Sequence, residues 1–536
     1  MFHKTCFREK NIYLFLGILL FAFVIRLFRV DSIPAGINQD EAMGALDAWA
    51  LSLYGTDRYG TRFPVHFEAW KYGQMSVLLS YCMIPFIKVF GFSTFAIRLP
   101  MVIISTIGVS LTYLISRKIF STQFSLAVMA FAAINPWHFM QSRWSLDCNM
   151  YPHVFLLAFY LMLCGLKKRK YLYLSMVFFA LTFYCYGVAI YSVPVFLLVF
   201  AAWCLWKNQF SLKEIIICAC IFFVVALPEI LVMIINMFGL STIETPFITM
   251  QFFPESIRSN DILFLNFSFY QLKKNLFSMV NQVFLQKPDH LFNALPGVGP
   301  MYLLSTPFMI LGVYQMIRNF FTTKDMQEKT YILALNGFLF MGIWVGLITY
   351  EVNINRINII FYPLIFCTVY GMKLFSSWFK RYSLHVCRTF ILVFMCLFMS
   401  FASQYFNRFP SEISTMFNVD FLSITKSADS LENYDSLYIT SNMGWQTNKK
   451  MAEILTQYSC KIDALYYQEI VDETGGRILA PYSERYNFVD IETITKVDRE
   501  GLYLVHSTEL EPLTSVCSLE YDIILSEGDF IAVDFK

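Results

Sequence analysis

Twelve apolar stretches constrain this chain more than any other feature. They lie at 11–28, 74–90, 98–116, 122–141, 150–166, 171–185, 189–206, 214–237, 301–317, 331–349, 357–372 and 388–404. A helix crossing a bilayer needs about 17–25 such residues, because its backbone must satisfy its own hydrogen bonds across the hydrocarbon. A soluble core could not absorb so many: 57% of the residues are hydrophobic and 15% are charged, outside the range of ordinary globular domains. The chain therefore reads as a polytopic α-helical membrane protein. Its first run, Ile12–Phe28, is longer than most signal-peptide cores and no small-residue cleavage site follows it, so it reads as a retained span. The net charge of +2 and the lack of a basic stripe argue against a nucleic-acid partner.

Basic residues mark cytoplasmic loops. Clusters occur at Lys4/Arg8/Lys10, Arg117/Lys118, Lys167–Lys170, Lys207/Lys213, Lys324/Lys329 and Lys380/Arg381/Arg388. If 74–90 crossed the membrane, Lys167–Lys170 would fall outside. If it lies along the outer surface, every cluster falls inside. Gln74, Ser76, Pro85 and Lys88 suit an interfacial helix. The expected architecture is about 11 transmembrane helices, plus interfacial helices in the first outer loop, with the N-terminus cytoplasmic. Five segments then share the outer face: 29–97, 142–149, 238–300, 350–356 and the tail. Beyond residue 404 apolar runs shorten and charge rises. Ser436–Thr440, Leu502–His506, Asp522–Leu525 and Phe530–Val533 pattern as strands, and Asn448–Ser459 as a helix. We read 1–404 as a transmembrane domain and 405–536 as a small extracytoplasmic α/β domain. Cys460 and Cys517 are the tail's two cysteines and a candidate disulfide.

The outer segments carry the candidate chemistry. Asp40 and Glu41 are adjacent carboxylates just after the first span, in Gly36-Ile37-Asn38-Gln39-Asp40-Glu41. Such a pair is either a solvated helix start or a site acid. Gln141-Ser142-Arg143-Trp144-Ser145-Leu146-Asp147 brings a second acid and a cation to the same side; Asp147 also suits a helix N-cap, and Arg143 also suits snorkelling to head groups. Arg356 offers a guanidinium that could meet phosphate oxygens bidentately, or it is an ordinary loop residue. Glu229 follows Pro228 inside a span, where an ion costs roughly 2.5–3.5 kcal/mol on insertion scales; it either lines a cavity or is neutral and hydrogen-bonded. His66 and Lys71 are candidate substrate contacts or ordinary loop or interface residues. His138 beside Trp137 is expected to pack at the membrane interface. Asp57, in the same loop as Asp40, belongs to no motif and is expected to be silent on substitution.

In order, the chain presents a first span, an outer loop with Asp40-Glu41, Ile97-Arg98-Leu99-Pro100, Ser116-Arg117-Lys118-Ile119-Phe120, Asn135-Pro136, and Gln141-Ser142-Arg143 with Leu146-Asp147. This series resembles the C-type superfamily of membrane glycosyltransferases, most nearly the protein O-mannosyltransferases and lipid A aminoarabinose transferases, over about residues 11–380. The resemblance implies a glycosyltransferase that takes a sugar from a polyprenyl-phosphate-linked donor and passes it to a protein, lipid or cell-envelope glycan acceptor at the outer face. Asp40 corresponds to the family's base, with Glu41 beside it. Asp147 matches the second-loop acid, which in relatives helps hold a divalent cation or orients the acceptor, so Asp40 and Asp147 are the candidate metal ligands. Arg143 matches the basic residue of the same motif. The mannosyltransferases also carry a His-Pro-Pro-Leu-Gly-Lys stretch in the first loop, where this chain has Pro64-Val65-His66 and Lys71-Tyr72-Gly73. With Arg356 and Glu229, Arg143, His66 and Lys71 complete the candidate donor-phosphate and substrate contacts. A reading from another class is a transporter or flippase for a lipid-linked saccharide, with the same acids as ion sites. That reading expects broken spans in related halves, and no internal repeat is visible.

Overall fold

The computed structural model describes residues 2–69, 73–253, 268–471, 477–479, 484–517 and 519–536. In chain order its α-helices are α1 (Phe2–Leu27), α2 (Gln39–Tyr54), α3 (Leu78–Phe90), α4 (Thr94–Ser116), α5 (Thr122–Ile134), α6 (Pro136–Gln141), α7 (Asp147–Gly165), α8 (Arg169–Leu181), α9 (Ala189–Trp206), α10 (Leu212–Phe238), α11 (Phe269–Met279), α12 (Thr306–Thr322), α13 (Met326–Ile348), α14 (Ile354–Ile357), α15 (Phe361–Trp378), α16 (Ser383–Asn407), α17 (Phe409–Ile413), α18 (Val419–Asp429), α19 (Lys449–Cys460) and α20 (Leu510–Cys517). The chain divides into two compact units. The first comprises Met1–Val30, Arg98–Leu240 and Ser256–Arg408; the second comprises Asp31–Ile97, Ser241–Glu255 and Phe409–Lys536.

The first unit is the multi-pass membrane body. Among the described residues, seven helical segments are long and apolar enough to cross a bilayer: Thr94–Ser116, Asp147–Gly165, Ala189–Trp206, Leu212–Phe238, Met326–Ile348, Ile354–Trp378 and Lys380–Asn407. Asn11–Leu27 and Thr122–Ile134 are shorter apolar helices of the same unit. The stretches at 171–185 and 301–317 are also helical, as α8 and α12, with 13 and 17 residues. The stretch 122–141 is divided. Asn135 leaves the helical conformation, and its side chain accepts from the His138 amide to start α6 with Pro136 at its first position, the place where a missing N–H costs least. Helices α7 and α15 are buried for most of their length, whereas α10 and α16 expose much of theirs. Their exposed apolar faces, with Phe223, Val224, Ile391 and Leu392, suit contact with lipid tails.

The second unit gathers the first loop, a piece of the 238–300 segment and the tail. Helix α3, at 13 residues, is about 20 Å long at 1.5 Å per residue, too short to span. It falls in this unit, as suits a helix lying along a surface. Two short hairpins, β1 (His66–Phe67) with β2 (Met75–Ser76) and β3 (Ile243–Glu244) with β4 (Thr249–Met250), flank it in the chain. The tail forms β5 (Ser436–Thr440), β6 (Glu469–Val471), β7 (Arg477–Leu479), β8 (Tyr486–Val489), β9 (Gly501–His506), β10 (Tyr521–Glu527) and β11 (Phe530–Phe535). Five of these make a mixed sheet in the order β10-β11-β9-β5-β8, with β5 parallel to both β8 and β9. Tyr503, Val505, Leu513, Val533 and Phe535 form its core. The tail is therefore an α/β fold, with each strand and the helix read from sequence in place. Cys460 is a free thiol with its Sγ 3.6 Å from the Thr425 carbonyl. The Cys517 side chain lies outside the described residues.

Candidate active site

In the second unit, Asn38 stops the loop and caps α2: its Oδ1 accepts from the Asp40 amide at 3.0 Å. Asp40 and Glu41 thus occupy the first turn of a helix, where unpaired N–H groups and the helix dipole favour negative charge. Glu41 is fully buried, while Asp40 is half-buried. The chain before the cap is pinned by the tail. The Ile37 amide donates to the Phe417 carbonyl at 2.9 Å, and the Asn418 side chain donates to the Ile37 carbonyl at 3.2 Å. Gly36 has φ +72, and a Cβ there would meet the Phe417 carbonyl; glycine is needed on both counts.

The body of α2 is anchored by charge. Arg58 and Asp47, both buried, form an ion pair at 3.1 Å, and Arg58 also donates to the Glu68 carbonyl at 2.7 Å. Asp57, which belongs to no motif, has a structural part. It is buried, and its Oδ1 accepts from the Tyr59 and Thr61 amides at 3.0 and 2.8 Å, closing the turn after α2. Burial pushes its carboxyl up to about 6. His66 is buried in β1 opposite Ser76. Lys71 lies outside the described residues.

In the first unit, Asp147 opens α7. The capping position belongs to Leu146, so Asp147 is a first-turn residue, not the cap itself; its Oδ1 accepts from the Cys148 amide at 2.6 Å. The turn carrying Arg356 is tied to this helix start. Asn358 donates its side-chain amide to the Cys148 carbonyl at 2.6 Å. Asp289 accepts from the Ile354 amide at 2.6 Å and from Asn293 at 3.1 Å, and Gln141 donates to Asn293 at 3.0 Å. Gln141, Asn293, Asp289 and Ile354 thus form one hydrogen-bonded series that ties the end of α6 and the 238–300 segment to 350–356, and the Asn358–Cys148 bond separately ties the residues just after 350–356 to 142–149. Arg356 is half-buried, and its Nη1 donates to the Glu351 carbonyl at 3.1 Å. The sequence reading did not single out Asp289 or Asn358. Their one signal was position, in or beside segments already assigned to the outer face.

Arg143 is occupied differently from a phosphate ligand. It is fully buried, and its five N–H groups meet five acceptors: Tyr405 Oη at 3.3 Å and the carbonyls of Ile25, Arg26, Phe28 and Arg29 at 3.0, 2.7, 2.8 and 3.3 Å. The Ile25 and Arg26 carbonyls are orphan acceptors of the last turn of α1, the negative pole of its dipole, and Phe28 and Arg29 follow directly after it. Phe139, Tyr405 and Phe406 surround the guanidinium. Arg98, from the Ile97–Pro100 motif, donates to the Val30 carbonyl at 3.1 Å. Glu229 is buried, on the stripe Phe222, Ala226, Glu229, Val232 of α10, so it faces protein and not lipid. His138 does not pack at an interface: it is buried and hydrogen-bonded to Arg26 and Tyr362.

The crystal structure of ArnT from Cupriavidus metallidurans in the apo state superposes on this chain with a TM-score of 0.57, covering 98% of both chains at 12% identity. This chain has the fold of that ArnT structure. The same ArnT bound to undecaprenyl phosphate matches with a TM-score of 0.55 over 97% of both chains, also at 12% identity. An Archaeoglobus fulgidus oligosaccharyltransferase in complex with Zn and sulfate matches at 0.53 and 11% identity, covering 83% of this chain and 61% of that one. The model of the dolichyl-phosphate-mannose-protein mannosyltransferase family matches residues 75–232. No curated protein matches the chain. Among the described residues no group of three or more His, Cys, Asp or Glu converges to hold a metal ion, and Asp40 and Asp147 belong to different compact units.

Proposed function

We propose that this protein is an integral-membrane glycosyltransferase that moves a sugar from a polyprenyl-phosphate carrier to an acceptor hydroxyl or phosphate on a protein, lipid or envelope glycan. The observation that carries the reading is the ArnT fold over nearly the whole of both chains, in a relative that also binds undecaprenyl phosphate; the mannosyltransferase family match over 75–232 supports it independently. With a hydroxyl acceptor, Asp40 takes the acceptor's proton as its oxygen bonds to the anomeric carbon. The bond from that carbon to the carrier phosphate breaks, and the phosphate leaves with the electron pair. A positioned general base of this kind contributes typically 10²–10⁴-fold. Arg356 neutralises the leaving phosphate, since a guanidinium matches phosphate geometry. Glu41 and the Asn38 cap hold Asp40 in place; Asp147 orients the acceptor.

Asp40 and Asp147 each carry a carboxylate of the kind that suits a hard divalent cation, together with water and phosphate oxygens. The described residues do not assemble a cation site by themselves, and the proton transfer to Asp40 does not require one. The N-terminus is cytoplasmic and the α/β tail extracytoplasmic, which puts the donor head group, held by its lipid at the membrane surface, on the side of the outer loops. The test is to incubate the purified protein in nanodiscs with a panel of polyprenyl-phosphate sugars and follow carrier release by mass spectrometry. Release of free polyprenyl phosphate from at least one donor supports the reading. Movement of intact donor across proteoliposomes without release supports a flippase instead.

A further inference from the structure

Four polar side chains from four helices form one buried chain inside the membrane unit: Arg26 on α1, His138 on α6, Tyr362 on α15 and His153 on α7. All four are buried. Arg26 Nη2 lies 3.0 Å from His138 Nδ1. His138 Nε2 lies 3.0 Å from the Tyr362 hydroxyl, which lies 2.6 Å from His153 Nδ1. The protons in this chain can be assigned by elimination. A guanidinium only donates, so His138 Nδ1 accepts from Arg26. The neutral ring then carries its proton on Nε2 and donates it to the Tyr362 oxygen. The single Tyr362 proton is left for His153 Nδ1. The chain thus has one polarity, Arg26 to His138 to Tyr362 to His153, and the Tyr362 hydroxyl is the link that both accepts and donates. Gly108 on α4 leaves room for it: a Cβ there would collide with that hydroxyl and come within 2.7 Å of His153 Nδ1.

Buried polar groups at membrane depth are costly and usually have a reason. None of these four takes part in the proposed chemistry, but two lie on the segments that carry it. Tyr362 follows Arg356 by six residues, across α14 and the single turn Asn358–Ile360. His153 follows Asp147 by six residues on α7. The Tyr362–His153 bond therefore joins the start of α15 to α7, alongside the Asn358–Cys148 bond nearer the surface. With both in place, the Arg356 turn has a fixed height and rotation relative to the start of α7. We propose that Tyr362 is a positioning residue for Arg356: its hydroxyl, held between His138 and His153, sets the geometry in which Arg356 meets the carrier phosphate. This rests on the reading that Arg356 meets a lipid phosphate.

The test measures the Kd of undecaprenyl phosphate for the purified full chain in nanodiscs. Arg356→Ala should weaken binding by about 10–100-fold, the range for a lost charge-assisted pair. Tyr362→Phe keeps the ring and removes the hydroxyl, and should weaken binding about tenfold. The double variant should bind no more weakly than Arg356→Ala alone, because Tyr362 acts only through Arg356; a merely structural hydroxyl predicts independent effects. His153→Gln, whose carbonyl can accept the Tyr362 proton, should bind better than His153→Leu. Thr368→Val removes another buried hydroxyl of α15, one that donates to the Leu364 carbonyl at 2.8 Å, and should leave Kd unchanged. Tyr362→Phe binding within twofold of the parent, or a double variant weaker than Arg356→Ala by the full Tyr362→Phe factor, overturns the proposal. Should Tyr362→Phe not yield folded protein, equal binding by His153→Gln and His153→Leu overturns it. A parent that does not bind undecaprenyl phosphate overturns the lipid-phosphate reading itself, and this inference with it.

Discussion

Arg143→Lys separates a structural cation from a phosphate ligand. The substitution keeps the charge. An ammonium has three donors, whereas the guanidinium meets five acceptors. At least two of those acceptors lose their partner, and the others are shared by a group without the planar fork. At about 0.6–1.5 kcal/mol for each buried hydrogen bond, the range from membrane and soluble proteins, the loss is about 1–3 kcal/mol. Weaker stacking on Phe139, Tyr405 and Phe406 adds to it. The expected result is a five- to hundredfold shift in the unfolding equilibrium in mixed micelles, read by tryptophan fluorescence as a function of the denaturing detergent. Undecaprenyl phosphate affinity of the folded fraction should stay within about twofold, because no N–H of Arg143 is aimed at a ligand. The opposite pattern, unchanged stability with affinity reduced tenfold or more, would show that Arg143 leaves the end of α1 to bind phosphate, and the argument from its five occupied donors would be wrong.

Other consequences follow from the same geometry. Asp57 is ordinary at 3.8 and raised to about 6 in the fold, so its contribution to stability is fully present below about pH 4 and is lost as pH rises to about 6, worth up to about 3 kcal/mol; Asp57→Asn, whose carbonyl can still accept from Tyr59 and Thr61, should flatten thermal stability over that pH range. Gly108→Ala should lower stability by at least about 1 kcal/mol by displacing the Tyr362 hydroxyl from His153, measured by thermal unfolding; an unchanged Tm would mean the pair has room to move. Val89→Cys on α3, exposed at 73%, should label from outside with an impermeant thiol reagent in a background without other cysteines, and Lys168→Cys only after permeabilisation; labelling of both from the same side would contradict the assigned topology.

The membrane body was legible because its signal is compositional: an apolar run long enough to span has few other fates in water or in lipid. The parity of basic loops set 74–90 apart as an expected interfacial helix; the helix that forms there, α3, is 13 residues long and belongs to the unit formed by the first loop and the tail. The division of 122–141 was written in Asn135-Pro136, but a hydropathy window averages over it. In the tail, Ser436–Thr440, Leu502–His506 and Phe530–Val533 showed as strands because alternation and β-branched residues mark half-buried strands. Strand β8, Tyr-Asn-Phe-Val, carries a strand-disfavouring Asn and directly follows the charged pair Glu484-Arg485, which hides it.

Residue roles were less legible than elements. Asp40 and Glu41 look equivalent in sequence; burial separates them, because position in the first turn of α2 turns Glu41 inward. Arg143 and Arg356 are both loop arginines by pattern, and only the fold shows that one caps α1 while the other keeps a half-exposed guanidinium. The His138–Tyr362–His153 chain joins residues up to 224 positions apart. No local spacing reports such a contact, and each member alone resembles an ordinary interfacial aromatic.

The most direct test of the account is Asp40→Asn. The amide matches the carboxylate in shape and loses only charge and basicity, while the Asn38 cap bonds the backbone amide of residue 40 and not its side chain. Expression, thermal stability and undecaprenyl phosphate binding should match the parent. Sugar transfer from a polyprenyl-phosphate donor that the parent consumes should fall by at least about 10², the lower bound for general-base catalysis. Glu41→Gln, measured alongside, should lose less activity, because Glu41 is buried and supports the site without touching substrate. Transfer at the parent rate by Asp40→Asn, with correct folding and donor binding, would contradict the assignment of Asp40 as the base.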